Sequence, residues 1–201
     1  MRVIGAVVAA GLFAWPAAPA VGQGATRTVA VEDATGSTVD PLAPGDDVRV
    51  FVFVRRDCPI ANRYAPELSR LMQRASAGPA SLRPATFTIV YVDPRDTAAL
   101  VAEHRREYAL SGSWVIDRTH ALANAAGATV TPEAAVYGPS RDGARRLLYL
   151  GRIDDRVESI GRIRPAAATH ELGDAIDAAR QGRLPAPAAG PAVGCFIADA
   201  Q

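Results

Sequence analysis

The sequence lacks Lys altogether, contains only two Cys, and carries charges that nearly cancel. Its 22 Arg oppose 21 Asp and Glu, so the net charge of +1 indicates neither a nucleic-acid-binding protein nor a polybasic membrane surface. No repeat and no second long apolar segment is present, which excludes collagen-like, coiled-coil and multi-span membrane architectures. With 49% hydrophobic and 21% charged residues, the 201-residue chain has the composition and length of one globular domain.

The N-terminus has the pattern of a secretory signal peptide. Arg2 supplies a positive start, Val3–Trp15 is apolar and uncharged, and Ala18-Pro19-Ala20 offers small residues of the kind that signal peptidase recognises. The apolar run is shorter than the roughly 20 residues that a membrane span needs, although an uncleaved anchor is the alternative. We predict a signal peptide at residues 1–20, a periplasmic or secreted protein, and no stable membrane insertion after cleavage.

Apolar runs and helical periodicity alternate through the first two thirds of the chain after the signal peptide. The runs are nearly continuous, as in strands buried on both faces, and the intervening segments carry apolar residues at helical spacing. In chain order we predict a candidate edge strand at Thr28–Val31, a strand at Val48–Val54, a helix from Pro59 to near Gly78, a strand at Thr86–Val92, a helix at about Thr97–Ala109, a strand at Trp114–Asp117 and a short helix at Thr119–Ala126.

The pattern changes after Gly127. Two strand-like runs, Ala134–Tyr137 and Arg146–Ile153, flank a turn that contains Gly and therefore predict a hairpin, and a last helix follows at His170–Gln181. This order predicts an α/β fold with a mixed sheet. The predicted organisation is a signal peptide, a domain at 28–182, and a Pro-rich tail at 183–201 that carries Cys195.

Several segments resemble one family. Asp57–Leu68 resembles the active-site loop and helix of bacterial thioredoxin-like redoxin proteins, the group classed with alkyl hydroperoxide reductase and thiol-specific antioxidant domains. Val130–Glu133 lies where that fold places its cis-proline loop, and Gly151–Arg156 and Val193–Cys195 resemble exported members of the group. The resemblance covers about residues 28 to 197 and implies a thioredoxin-like fold, with a central mixed sheet flanked by helices.

Cys58 is the candidate attacking thiol. It follows a buried strand and precedes a helix that begins at Pro59, so unpaired backbone N–H groups and the positive end of the helix dipole favour its thiolate. Arg55 and Arg56 would add to this effect, and Asp57 would oppose it. A thiolate attacks disulfides and peroxides. The alternative is a buried cysteine with only a structural role.

The sequence departs from the signature of each subfamily that it resembles. Ala61 stands where dithiol thioredoxins have their second Cys, and Asn62 stands where the copper chaperones of this fold have theirs. Arg55 and Phe51 replace the Thr or Ser and the Pro that precede the attacking Cys of peroxiredoxins. The resemblance therefore leaves both disulfide exchange and peroxide reduction open at Cys58.

Cys195 is the candidate resolving thiol, because the Pro-rich tail is extended and could lay it over the loop that bears Cys58. A static disulfide that fixes the tail, or two thiols that never meet within one chain, are the alternatives. The resemblance implies that a cis Thr131–Pro132 bond would turn the chain beside Cys58 and leave a backbone edge for a substrate peptide, with Arg56 as a further substrate contact. A trans proline that begins an ordinary strand is the alternative.

No cofactor or metal is predicted. His104, His120 and His170 show no ligand-like spacing, although copper held by the two cysteines and one His is a minor alternative.

The sequence leaves two candidate functions. The first is an exported thiol oxidoreductase that acts on a disulfide-bearing protein or a peroxide and is regenerated by an external thiol reductant. The second is a non-catalytic binding or assembly module with a structural disulfide, serving a respiratory or cytochrome partner.

Overall fold

The computed structural model describes residues 28–141 and 143–197, so the predicted signal peptide lies outside the described residues. The strands, in chain order, are β1 (Val31–Asp33), β2 (Thr38–Val39), β3 (Val48–Val54), β4 (Ala85–Tyr91), β5 (Ser113–Ile116), β6 (Val130–Thr131), β7 (Glu133–Pro139), β8 (Arg145–Gly151), β9 (Val157–Ser159), β10 (Arg162–Ile163) and β11 (Cys195–Phe196). The helices are α1 (Pro59–Arg63), α2 (Ala65–Ser76), α3 (Ala98–Glu107), α4 (Ala121–Ala126) and α5 (Glu171–Arg180).

Seven strands form one mixed sheet in the order β2-β1-β5-β4-β3-β7-β8. β3, β4 and β5 are parallel, and helices connect them, as parallel neighbours require. β7 and β8 form the predicted hairpin, and β7 joins β3 antiparallel. The predicted mixed sheet flanked by helices is therefore confirmed.

β3 lies inside the sheet and is buried on both faces. Val50 and Val52 pack into one core with α2 and α5, whereas Phe51 and Phe53 point to the other face and pack with α4. Successive side chains of a strand point to opposite faces, so a strand covered by helices on both sides needs apolar residues at every position. This burial explains the unbroken apolar run by which the strand was predicted.

The single helix predicted from Pro59 to near Gly78 is two helices. α1 ends at Arg63, and α2 begins at Ala65, with Tyr64 between them at φ −80° and ψ −5°. Pro66 has no backbone N–H and cannot donate to the turn before it, so the helical hydrogen-bond ladder is interrupted there. The prediction of one continuous helix is wrong because it weighed apolar spacing and overlooked Pro66.

Several short strands have no counterpart in the prediction. β9 and β10 form a two-stranded hairpin, and β11 pairs with β6 in a separate two-stranded sheet. The first strand begins at Val31 and not at Thr28. No helix within the described ranges is long and apolar enough to cross a membrane.

The buried face of β4 allows a test of the core. Ile89 is fully buried, and its replacement in Ile89→Ala would leave a cavity that costs about 2–5 kcal/mol of unfolding free energy. Leu184 is 69% exposed, so the matched Leu184→Ala variant should change the unfolding free energy by less than about 0.5 kcal/mol. Chemical denaturation of both variants measures the difference, and equal losses would contradict the assigned burial.

Candidate active site

Cys58 lies where β3 leads into α1. It is the N-cap residue of α1, with extended backbone at φ −89° and ψ 106°, and Pro59 fills the first helical position. Its side chain is fully buried, and its Sγ donates a hydrogen bond to the carbonyl oxygen of Thr131 at 3.1 Å. The Thr131–Pro132 peptide bond is cis. The sequence-predicted residues Cys58, Thr131 and Pro132 therefore meet in one place.

The C-terminal tail brings Cys195 to the same place. Cys195 is opposite Thr131, and Phe196 is opposite Val130, in the antiparallel pair of β11 and β6. The backbone N–H of Ile197 continues this pairing by donating to the carbonyl oxygen of Thr129 at 2.9 Å. The two cysteines are near each other, and both are free thiols.

The two thiols have opposite pKa shifts. Burial alone would raise the pKa of Cys58, but hydrogen bonds from the Cys195 thiol, the Ala61 N–H, the Thr131 hydroxyl and the Cys195 N–H outweigh it, so the pKa of Cys58 is lowered. Burial, the hydrogen bond to Cys58 and the charge of its thiolate raise the pKa of Cys195 to about 11. Of the two thiols, Cys58 therefore loses its proton first, and Cys195 keeps its proton to higher pH.

The arginines of the active-site loop are engaged elsewhere. Arg55 makes a bidentate contact to Asp57, at 3.0 and 2.9 Å, and Arg56 forms an ion pair with Asp96. The prediction that Arg55 and Arg56 stabilise the Cys58 thiolate is therefore replaced by stabilisation through hydrogen bonds. The charge of Arg55 instead offsets a small part of the rise in the Cys195 pKa. The predicted substrate contact of Arg56 would have to compete with its ion pair to Asp96.

The backbone edge predicted for a substrate peptide is occupied by the protein's own tail. β11 pairs with β6 at Thr131, which is fully buried. Gly194 packs so closely that a Cβ atom there would overlap the carbonyl oxygen of Thr131. The side chain of Ile197, 5% exposed, belongs to the core formed by Phe51, Phe53 and α4, and this burial anchors the tail.

A series of hydrogen bonds between buried side chains supports the loop that precedes Cys58. The Tyr91 hydroxyl and His104 Nδ1 are 3.0 Å apart, and His104 Nε2 is 2.9 Å from Oδ1 of Asn62. The Asn62 amide then donates to the carbonyl oxygen of Arg56 at 2.8 Å. Because the Asn62 Oδ1 atom only accepts, the Nε2 atom of His104 carries the proton, in accord with a pKa that burial lowers. Sequence analysis missed this series of hydrogen bonds, because His104 lies in the middle of a helix.

Glu133 is a second residue that sequence analysis missed. It directly follows Pro132, is mostly buried, and its Oε2 accepts hydrogen bonds from the Thr129 N–H at 2.8 Å and the Val130 N–H at 3.4 Å. These bonds hold the loop on which the tail pairs. A charged residue in an otherwise apolar strand was the available signal, because a buried carboxylate needs donors.

One group of side chains has metal-like spacing, away from the cysteines. Ligand atoms of Glu67, Asp154 and His170 lie within 4.8 Å of one another. Asp154 already accepts from the Tyr64 hydroxyl at 2.7 Å and from Arg156, and these contacts use the oxygens that a cation would need. The cluster therefore fits an ion-paired network better than a metal site.

The reduced protein should contain two thiols that titrate far apart. Ultraviolet thiolate absorbance of the wild type should rise first below the ordinary cysteine pKa, from Cys58, and again near pH 11, from Cys195. Cys195→Ala should keep the first step but at a higher pH than in the wild type, because the side chain that donates a hydrogen bond to the Cys58 sulfur is removed. Cys58→Ser should remove the first step and lower the second, because the neighbouring negative charge is gone. A single step of double height in the wild type would contradict the assignment.

Gly194 offers a test of the tail contact. Gly194→Ala would place a methyl group against Thr131, so β11 must move away, at a cost of about 1–3 kcal/mol. Hydrogen exchange at the Ile197 amide should then become faster, because its bond to Thr129 is weakened. Gly190→Ala is the matched control on the same tail, since its Cβ would meet only the flexible end of Arg152. Equal exchange in both variants would show that β11 does not depend on this contact.

Comparison with known proteins extends the fold assignment. No protein-family model and no curated protein matches the sequence. An uncharacterised conserved protein from Geobacillus kaustophilus has a TM-score of 0.63 at 22% identity, over 85% of this chain and 87% of that chain. A hypothetical protein from Sinorhizobium meliloti 1021 has a TM-score of 0.62 at 20% identity, over 85% of this chain and 90% of that chain.

A secreted Mycobacterium tuberculosis disulfide oxidoreductase homologous to E. coli DsbE has a TM-score of 0.48 at 18% identity, over 74% of this chain and 94% of that chain. Identities of this size concern the fold, and activity has to be argued from the site. The strand order, the cysteine at the start of α1 and the cis proline facing it complete the assignment. The chain therefore has a thioredoxin-like fold, with a central mixed sheet flanked by helices.

Proposed function

We propose that the protein is an exported thiol oxidoreductase in which Cys58 and Cys195 cycle between a dithiol and a disulfide. The observation that carries the proposal is that strand pairing holds the chain's two cysteines together and splits their pKa values in opposite directions. A low-pKa thiolate next to a protonated thiol is the arrangement that a nucleophile and its resolving partner need.

Oxidation of the dithiol begins at Cys58. Its thiolate attacks one sulfur of a partner's disulfide, that S–S bond breaks, and a mixed disulfide forms while the partner's other sulfur leaves as a thiolate. With a peroxide, the thiolate instead attacks one oxygen and the O–O bond breaks, so that Cys58 becomes a sulfenic acid and the other oxygen leaves as water or an alcohol after taking up a proton. In either case Cys58 loses its negative charge, so the pKa of Cys195 falls and its thiolate forms more readily.

Resolution completes the oxidation. The Cys195 thiolate attacks the sulfur of Cys58, and the Cys58–Cys195 disulfide forms. The leaving group is the partner's second thiolate or, from the sulfenic acid, hydroxide, which takes up a proton to become water. The substrate has then gained two electrons. An external thiol reductant returns the pair to the dithiol.

A second candidate function is a binding or assembly module in which the same disulfide is structural. Two contacts favour this structural function: Gly194 packs closely against Thr131, and Ile197 is buried in the core. Both contacts hold the tail in place without any exchange reaction. In that case the disulfide should resist mild reductants, and its reduction should lower the melting temperature without producing any activity.

Intact mass analysis with thiol trapping separates the two functions. The reduced mature protein, freed of reductant, would be mixed with one equivalent of oxidised glutathione or hydrogen peroxide. The mass of the wild type should then fall by two hydrogens, whereas the mass of a control sample without oxidant should not change. Cys195→Ser, the matched variant, should instead stop at a glutathione adduct or sulfenic acid on Cys58. Cys58→Ser should react at least about tenfold more slowly, because the thiolate of lower pKa is absent. Unreactive Cys58, or a disulfide that mild reductant leaves intact, would support the structural module.

A further inference from the structure

The two cysteines are not equally accessible to a large partner. Cys58 is fully buried, because β11 covers the Thr131 edge next to it, whereas Cys195 keeps part of its surface. A macromolecular thiol that approaches the Cys58–Cys195 disulfide therefore meets the sulfur of Cys195 first. Ile197 and Gly194 hold the tail on either side of Cys195, so this difference in access is built into the packing of β11.

An apolar cavity of about 480 Å³ opens beside Cys195. One wall is α1, with Ile60; a second is the β9–β10 hairpin, with Ile160 and Ile163; a third is the tail, with Phe196. Ile160 and Phe196 are 79% and 78% exposed, although both are large apolar residues. Grouped apolar exposure of this kind is typical of surfaces that bind another protein.

A cationic side chain lines the cavity. Arg63 lines it, is exposed, and forms no ion pair with any residue of 28–141 or 143–197. Arg162 of the hairpin is already paired with Glu158. Charge complementarity therefore calls for a carboxylate on the partner, beside the apolar side chain that fills the cavity.

We propose that the thiol reductant of this protein is a dithiol protein that places an extended segment, with a Cys flanked by an apolar and an acidic residue, in the cavity beside Cys195, and that it attacks Cys195 and not Cys58. The inference rests on the proposed function, because it needs the Cys58–Cys195 disulfide. The two cysteines thus serve different partners: an oxidant small enough to pass β11, such as a peroxide or a small disulfide, reacts at Cys58, and the protein reductant reacts at Cys195.

The exchange balances in two steps. The reductant's thiolate attacks Sγ of Cys195, the Cys58–Cys195 bond breaks, and Cys58 leaves as a thiolate that accepts a hydrogen bond from the Ala61 N–H. The reductant's second thiolate then attacks the reductant's own sulfur in the mixed disulfide, and Cys195 leaves and takes up a proton. The reductant is oxidised to a disulfide, and the protein is reduced to the dithiol. The thiol of lower pKa is the better leaving group, which favours attack on Cys195 over attack on Cys58.

A trapping experiment on the oxidised wild-type protein locates the attacked sulfur. The probe is a synthetic single-Cys peptide with Leu and Glu next to its Cys, and the reaction is quenched with acid before digestion and mass spectrometry. We expect the peptide on Cys195 and a free thiol at Cys58. A peptide found on Cys58 would overturn the inference and leave the proposed function standing, whereas absence of the disulfide before the peptide is added would overturn both.

Surface variants test the cavity. The ratio of the peptide reaction rate to the dithiothreitol reaction rate should fall about tenfold in Ile160→Ser, because dithiothreitol is too small to use the apolar surface. Leu184→Ser removes a similarly exposed apolar residue elsewhere and should keep the ratio. Arg63→Glu should reverse the preference for the Glu peptide over a Lys peptide of otherwise equal sequence. Ratios that are unchanged in both Ile160→Ser and Arg63→Glu would contradict docking in this cavity.

Discussion

The pairing of β11 with β6 at Thr131 is the contact on which the site depends. The carbonyl oxygen of Thr131 accepts the hydrogen bond from Cys58, while the same residue lies opposite Cys195 in the strand pair. Two cysteines that are distant in the sequence therefore share one backbone residue as their common support. Gly194 makes the approach possible, because any larger residue would collide with Thr131.

The same contact explains why the two thiols differ. Cys58 receives donors from the first turn of α1 and from the tail, so its negative charge is stabilised although it is buried. Cys195 is the neighbour of that charge, and its pKa is raised to about 11. Because the shifts are mutual, a change in the charge of either sulfur alters the reactivity of the other, which is how one site can hold a nucleophile and its resolving thiol.

Buried hydrogen bonds support the backbone that carries the two cysteines, and apolar side chains surround the exposed side of Cys195. Asn62 and His104 tie the loop to the buried hydroxyl of Tyr91, and Glu133 holds the backbone N–H groups of the residues before Thr131. Both sets of hydrogen bonds keep buried polar groups satisfied and fix the backbone on either side of the sulfurs. The tail then closes over them and leaves the apolar cavity beside Cys195 as the open approach to the site.

The sequence predicts tertiary structure only where burial or a helix start leaves a local pattern of residues. Burial of β3 on both faces requires an unbroken apolar run, and Pro59 after Cys58 indicates a helix start, so the core of the fold and the position of Cys58 at the start of a helix were predicted. The end of α1 near Tyr64 was not, and strands as short as β11 carry no periodicity to detect. The sequence by itself determined which residues can react; the tertiary structure decided that Cys195 lies against Thr131, because only packing of Ile197 and Gly194 with distant residues selects that pairing.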